Sequence, residues 1–248
     1  MLTRRILLAV AAASFAFAAP VFAQNRAATP LKITIYGGSG AIGSRIVAEA
    51  AARGHHVTLV DRSPKADVAP KGVKVVTGDV FDAADVARNI AGQDVVITAI
   101  AARPTPTRDF YERLAKTVVG AQRAQTGRKS RYLVVGGAGS LEVEPGKRFV
   151  DTLPPSLPDA MKNEVLSMAD ALTYLRTVTD TSWTFLSPAM NITPGTRTGT
   201  FRLGGDQVVR DAKGESRISM EDFAVAMLDE VEKPQFRNKR FTVGYCPG

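Results

Sequence analysis

The chain has 248 residues, 45% of them apolar and 23% charged, with 32 Lys and Arg against 24 Asp and Glu. That length and balance suit one or two folded domains and exclude disordered, collagen-like and coiled-coil chains. One cysteine (Cys246) excludes intrachain disulfides and Cys-held zinc or iron–sulfur centres, and two histidines (His55, His56) leave too little for a zinc hydrolase or a Ser-His-Asp triad, so no metal site is expected.

Residues 1–23 combine Arg4 and Arg5, an apolar run from Ile6 to Ala19 and the small-residue end Val21-Phe22-Ala23. A basic start, a short apolar stretch and a small-residue cleavage site make a secretory signal, and the run falls short of the roughly 20 residues that span a membrane. Export to the periplasm is therefore expected, with no stable membrane span. Cleavage after Ala23 would remove two of the positive charges behind the net +8. Thr3–Leu8 (TRRILL) also fits the twin-arginine signal that carries folded proteins, so the Sec and twin-arginine routes both stay open. Residues 24–30 read as a polar linker and residues 31–248 as one domain.

From there strand and helix patterns alternate. Leu31–Tyr36 (LKITIY) is a strand, and the alanine-rich Ile42–Arg53 a helix closed by Gly54. His56–Asp61 (HVTLVD) and Val73–Thr77 are the second and third strands, and a helix opening at Asp82 stops at Gly92. Asp94–Ala101 (DVVITAIA) is a continuous apolar run, as a strand buried on both faces requires. A helix from Asp109 to Gln125 precedes the strand Arg131–Val135. Alternating units with short connections predict an α/β fold: a single doubly wound parallel sheet with helices on both faces.

The second half is less regular and reads as a small C-terminal extension. Pro145–Pro158 holds four prolines and predicts a loop or lid-like excursion, followed by a helix over Pro158–Thr179 and a strand at Ser182–Leu186. Phe201–Leu203 and Gln207–Val209, joined by Gly204-Gly205-Asp206, predict a hairpin. Ser219 with Asp222 can cap a last helix ending near Glu232, before a strand at Phe241–Tyr245.

The chemistry concentrates in Gly37-Gly38-Ser39-Gly40-Ala41-Ile42-Gly43, between the first strand and the first helix. A first glycine permits the tight turn, Gly40 lets backbone approach a pyrophosphate, and Gly43 lets the helix pack closely on the strand. The helix N-terminus offers free N–H groups and a positive dipole end to the phosphates. The loop fits G-x-G-x-x-G from Gly38 and G-x-x-G-x-x-G from Gly37, in the context that a Rossmann-type dinucleotide site needs. Asp61 at the end of the second strand favours the ribose 2′-OH of NAD, whereas Arg62 favours the 2′-phosphate of NADP or stacks on adenine, so the cofactor reads as NADP or NAD. Asp79 and Val80 follow the third strand, where Asp79 can meet the adenine amino group or serve only as a turn former. Ala99, Ile100 and Ala101 end the fourth strand, where open α/β sheets bind ligands. The basic cluster Arg128-Lys129-Ser130-Arg131 has no nucleic-acid-binding motif beside it and reads as solvated surface.

Together these residues resemble the short-chain dehydrogenase/reductase superfamily, and more narrowly its atypical, NmrA-like branch of NAD(P)H-binding proteins, which includes flavin-reductase-like members. The resemblance runs from the GGSGAIG loop through Val60–Pro64, Thr77–Asp82, Tyr132–Ser140 and Ser182–Pro188 to Arg217–Asp222. The superfamily's usual Tyr-x-x-x-Lys pair is absent: four positions after Tyr36, Tyr111, Tyr132 and Tyr174 stand Gly40, Ala115, Gly136 and Val178, and the chain ends before a fourth residue after Tyr245. Ordinary alcohol dehydrogenase chemistry is therefore disfavoured, because a positioned proton donor contributes about 10²–10⁴-fold. Reduction of a flavin-like or quinone-like small-molecule acceptor needs less, since the nicotinamide carries the chemistry. A non-catalytic or redox-sensing NAD(P)-binding protein is the alternative, with a sugar-nucleotide epimerase or dehydratase behind it. Lys162 could touch the ribose or an anionic acceptor, although exposed helix lysines are far commoner. Gly136 and Gly137 read as backbone lining the nicotinamide side, and Ser187-Pro188 and Met190-Asn191 as borders of the same cleft.

Overall fold

A computed structural model of the chain describes residues 29–64, 67, 69–101 and 107–245. The signal at residues 1–23, most of the linker and Cys246 lie outside these. Eight strands form one sheet: β1 (Lys32–Tyr36), β2 (His56–Asp61), β3 (Lys74–Thr77), β4 (Val95–Thr98), β5 (Arg131–Val135), β8 (Trp183–Ser187), β10 (Arg202–Gly204) and β12 (Lys239–Gly244). Their order is β3-β2-β1-β4-β5-β8-β12-β10, parallel throughout except that β10 runs antiparallel to β12. The order reverses between β1 and β4, which is where doubly wound sheets open a ligand crevice at their strand ends.

Residue alternation along β1 shows how both faces are filled. Ile33 and Ile35 face a core shared with α1 (Ala41–Ala52) and α5 (Met220–Glu232), through Ile46, Val47, Phe223 and Met227. Tyr36 faces the other core, under α2 (Ala83–Ile90), α3 (Phe110–Ala124) and α4 (Asp159–Arg176), with Val86, Leu114, Leu172 and Trp183. Both faces being covered, the central strands read as unbroken apolar runs. The helix ends follow local chemistry. The Asp82 carboxylate accepts the amides of Ala84 and Asp85 at the start of α2, and Ser219 Oγ accepts the Asp222 amide at the start of α5.

Three expectations change. The apolar run Asp94–Ala101 is a strand only over Val95–Thr98; Ala99 still donates its amide to the Tyr36 carbonyl, and the chain then leaves the sheet beside Gly37. The predicted hairpin of Phe201–Leu203 with Gln207–Val209 does not form. Gly204, without a Cβ, packs on Thr242, so β10 pairs with β12 (Arg202 opposite Gly244). Gln207 instead meets Glu142 in a single parallel bridge, and the Asp206 carboxylate is anchored by Arg176 and by Arg240. The proline-bearing excursion holds structure of its own, with β6 (Glu142–Glu144) and β7 (Lys147–Arg148) turning at Gly146 and a 3-10 turn at Phe149–Thr152. A small parallel pair, β9 (Asn191–Thr193) with β11 (Arg217–Ser219), completes the C-terminal part.

Candidate functional site

The glycine loop leaves β1 at Gly37, whose φ of +80° is open to glycine at little cost. A Cβ there would stand 2.5 Å from the Ala99 carbonyl oxygen. The Gly40 amide donates to the Gly37 carbonyl at 3.0 Å, and a Cβ on Gly43 would lie 2.0 Å from that same oxygen. The working frame is therefore Gly37, Gly40 and Gly43, the second of the two the sequence allowed. Gly38 has a different task, since a Cβ there would strike Leu59 in β2 at 2.6 Å. With Gly40 as N-cap, no side chain among the described residues caps α1, and the amides of Ala41, Ile42 and Gly43 head the helix.

Beside the loop runs a cleft of about 300 Å³, bordered by Gly37, Gly40, Asp61, Arg62, Asp79 and Ile100, with Val80, Ala99 and Ala101 also on its walls. Two aromatic rings close it, Phe81 and Phe110, edge to face with centroids 5.0 Å apart. Tyr36 lines it as well; burial, with the Asp85 and Asp79 carboxylates nearby, pushes its hydroxyl pKa up to about 12. Asp61 meets the loop directly, its Oδ2 accepting the Ser39 amide at 2.7 Å. Asp79 borders the cleft, yet its Oδ1 accepts the Phe81 amide at 3.0 Å, so the turn-forming role is present whatever else the carboxylate does.

The cleft and a smaller void of about 10 Å³ share Ile100. That void lies under the ends of β4 and β5, among Gly136, Tyr111, Met168 and Phe185. A Cβ on Gly136 would overlap the Phe185 ring, and one on Gly137 would stand 2.6 Å from Met168 Sδ. These glycines therefore let β8 and α4 close onto the end of β5. Lys162 lies in the first turn of α4, where its ammonium donates to the Pro155 carbonyl at 2.7 Å and sits 3.9 Å from Asp159. Ser187 and Met190 are tied into the C-terminal part, the Ser187 carbonyl accepting from Thr242 Oγ1 and the Met190 amide donating to Ser216 Oγ. None of Lys162, Gly137, Ser187 and Met190 borders the glycine-loop cleft. His55 is buried far from it, its Nδ1 accepting the Leu31 amide and its Nε2 facing Glu232.

Sequence reasoning missed Tyr36, Gly78, Phe81 and Phe110. Gly78 had a signal, the Gly-Asp pair after β3, and a Cβ there would press Val60 and Asp85 at 2.6 and 2.8 Å. Phe110 had none, because only the fold brings the start of α3 opposite Phe81.

The groups this site must suit are a diphosphate, a ribose and a planar base. An uncapped helix start with three Cβ-free positions beside it suits the first, the Asp61 carboxylate the second, and the Phe81 and Phe110 walls the third. Residues 37–234 match a family model described as NAD(P)H-binding. Among solved structures, an exported-protein designation attaches to one from Burkholderia pseudomallei, 45% identical, TM-score 0.76, covering 87% of this chain and all of that one. A protein from Bacteroides thetaiotaomicron designated an epimerase is 37% identical (TM-score 0.78; 88% and 99% covered). One from Streptococcus pneumoniae designated an NADH-flavin reductase is 32% identical (TM-score 0.76; 87% and 99% covered). YwnB of Bacillus subtilis, itself uncharacterized, is 38% identical over 216 residues, 86% of this chain and 98% of its own. The chain belongs to this family of NAD(P)H-binding proteins, in the NmrA-like, flavin-reductase-like branch that its motifs resemble.

Proposed function

We propose that this NAD(P)H-binding protein is an exported reductase that delivers hydride to a flavin-like or quinone-like acceptor. The observation that carries the proposal is the cleft at the glycine loop, in a chain that lacks the Tyr-x-x-x-Lys pair. A bound nicotinamide supplies the hydride, from C4. The chain's own residues bind, orient and shield. The amides of Ala41, Ile42 and Gly43 and the positive end of α1 hold a diphosphate, with Gly37 and Gly40 letting the backbone close on it. Asp61 accepts from ribose hydroxyls, and Val80, Phe81 and Phe110 exclude water from the base. Ala99, Ile100 and Ala101 lead toward the ends of β4 and β5, the side on which a flat acceptor is placed, while Gly136 and Gly137 let Phe185 and Met168 close that end. Water supplies the accompanying proton.

The second reading, a nucleotide-binding protein without turnover, is supported by Lys162, whose ammonium is engaged by the Pro155 carbonyl. An epimerase or dehydratase ranks below both, because that chemistry normally uses the missing tyrosine. Export is supported by the signal-like residues 1–23 and by the exported designation of the Burkholderia pseudomallei relative. Among the described residues no helix is long and apolar enough to cross a membrane. The deciding experiment follows oxidation of NADH and NADPH by the purified protein with riboflavin, FMN and a series of quinones. Turnover with one acceptor class is expected; binding of nucleotide with no turnover across the panel would leave the second reading in its place.

A further inference from the structure

The parallel strands of the main sheet all begin at one end of it, and that end is basic. Lys32 and His56 open β1 and β2 opposite each other, and with Lys74 at the start of β3 they line an open recess of about 330 Å³. Across the sheet Lys239 opens β12, and Lys233 and Arg237 lie on the turn between α5 and that strand. Lys32, Lys71, Lys74, Lys233, Arg237 and Lys239 are exposed and form no ion pair among the described residues. The acids near them have partners. Asp94 meets Arg128 at 3.0 Å, Asp180 meets Arg123 at 2.8 Å, and Asp229 and Glu232 meet Arg53 at 2.8 and 3.0 Å. The Glu230 carboxylate is buried and accepts the amides of Gln235 and Phe236. The free cations thus make a field of one sign across the sheet from β3 to β12, a breadth that suits an extended anionic surface better than one small ion.

The N-terminal segment enters the domain at the same end. At most about 35 Å of extended chain separates Ala19, where the apolar run stops, from Thr29 ahead of β1. While that run sits in a bilayer, the basic end is tethered beside the headgroups. This proximity rests on reading residues 1–23 as a signal; the charge pattern does not.

We propose that this end of the sheet docks on an anionic lipid surface, through Lys32 and Lys74 at the recess and through Arg237 and Lys239 across the sheet. Each lysine or arginine held at such a surface adds to the attraction, which fades within a Debye length. The glycine-loop cleft lies at the opposite end of the same strands, at Gly37 and Asp61, so a docked domain keeps it open to water.

The test sediments the purified protein with vesicles of equal parts phosphatidylglycerol and phosphatidylcholine, and with vesicles of phosphatidylcholine alone. The protein should partition at least about tenfold more strongly onto the anionic vesicles. Raising salt from about 0.1 M to about 1 M, which shortens the Debye length from about 10 Å to about 3 Å, should release it. Lys32→Glu with Lys74→Glu should weaken the partition by at least about tenfold, because two attractive charges become repulsive. Lys147→Glu with Arg202→Glu changes the net charge equally, on β7 and on β10 where Arg202 faces Gly244 at the far end of β12, and should weaken it by less than about threefold. Thermal unfolding checks that each variant is folded. Equal partition onto both vesicle types, or partition that salt leaves unchanged, overturns the proposal on the wild type alone. An equal loss from the two pairs of substitutions does so too, since net charge and not this face would then be responsible. Tighter binding of an RNA duplex than of the anionic vesicles would assign the basic end to nucleic acid and overturn it as well.

Discussion

The glycine loop's geometry is tested most sharply at Gly43. A Cβ at this position would stand 2.0 Å from the Gly37 carbonyl oxygen and 3.0 Å from the Gly38 Cα, and both obstacles are backbone. No rotamer change relieves the contact, so α1 must move away from the loop by about 1.4 Å or more to reach an ordinary separation. Overpacking of this kind costs about 1–3 kcal/mol, and the gain in helix propensity on replacing glycine returns less than about 1 kcal/mol. Gly43→Ala should therefore lose about 1–2 kcal/mol, a Tm lower by roughly 2–8 °C in a domain of this size. The shift should also remove nucleotide binding, because the displaced amides are those that head α1. Thermal unfolding with and without saturating NADH reads both effects, since a ligand at 100 times its Kd raises stability by about 2.7 kcal/mol. Gly120→Ala is the control. Gly120 lies inside α3, and a Cβ there would meet no atom within 4 Å, so the same substitution should stabilise by about 0.5–1 kcal/mol. Gly43→Ala with a wild-type Tm and an undiminished NADH shift would refute the reasoning.

Three further outcomes follow from other parts of the molecule. Asp222 is fully buried and accepts from the amides of Thr198 and Gly199, from Thr198 Oγ1 and from the Tyr245 hydroxyl, so Asp222→Ala should cost about 3 kcal/mol or more and expose the chain at Arg197 to trypsin. Unchanged proteolysis at Arg197 would show that this carboxylate does not pin the segment. The Tyr36 hydroxyl titrates near 10 when unfolded and is pushed up to about 12 by burial, so its contribution is fully present below pH 10 and is lost as pH rises toward 12. Urea unfolding across that window should show Tyr36→Phe losing less stability than the wild type, by on the order of 2 kcal/mol, and parallel curves would contradict it. Replacing Arg4 and Arg5 with lysine should stop export if the twin-arginine route carries a folded, cofactor-bearing protein; export at the wild-type level would refute that route.

Legibility in the sequence tracked how local the determining physics is. The strands His56–Asp61 and Arg131–Val135 have the expected bounds, and α1, α3 and α5 fall within a few residues of them, because period, caps and glycine stops are written in neighbouring residues. The pairing of β10 was not legible. Gly204-Gly205-Asp206 reads locally as a hairpin turn, whereas Arg240 and Arg176, 34 and 30 residues away, and the Glu142 amide hold Asp206 where the strands diverge. The site divides in the same way. Its glycines and Asp61 carry their chemistry in spacing alone, whereas Phe110 becomes a wall only when α3 is laid over the sheet. Gly136 and Gly137 show the reverse hazard: a run that looks like a second phosphate loop is set by the Phe185 ring and by Met168 Sδ.

That contrast bears on how little proton chemistry this chain holds. Polar side chains near the sheet ends are committed elsewhere: the candidate Lys162 to Pro155, Asp79 to the Phe81 turn, and Tyr132 to Thr98 beneath the sheet end, where burial raises its hydroxyl far above the ordinary range. What faces the cleft instead is backbone, hydrophobic wall, the Asp61 and Asp79 carboxylates and the Arg62 guanidinium, while the hydroxyl of Tyr36, which also lines it, is buried. Such a surface can fix a nucleotide and exclude water but cannot hand a proton to an alkoxide as it forms. An acceptor that takes hydride into a conjugated ring spreads the arriving charge over several atoms and can collect its proton from solvent afterwards. Flavins and quinones have that property and simple ketones do not. Rates with a quinone should accordingly depend weakly on pH near neutrality, because no protein group in the cleft has to change protonation for hydride to move. A bell-shaped profile with that acceptor would mean that a proton-transferring residue has been overlooked.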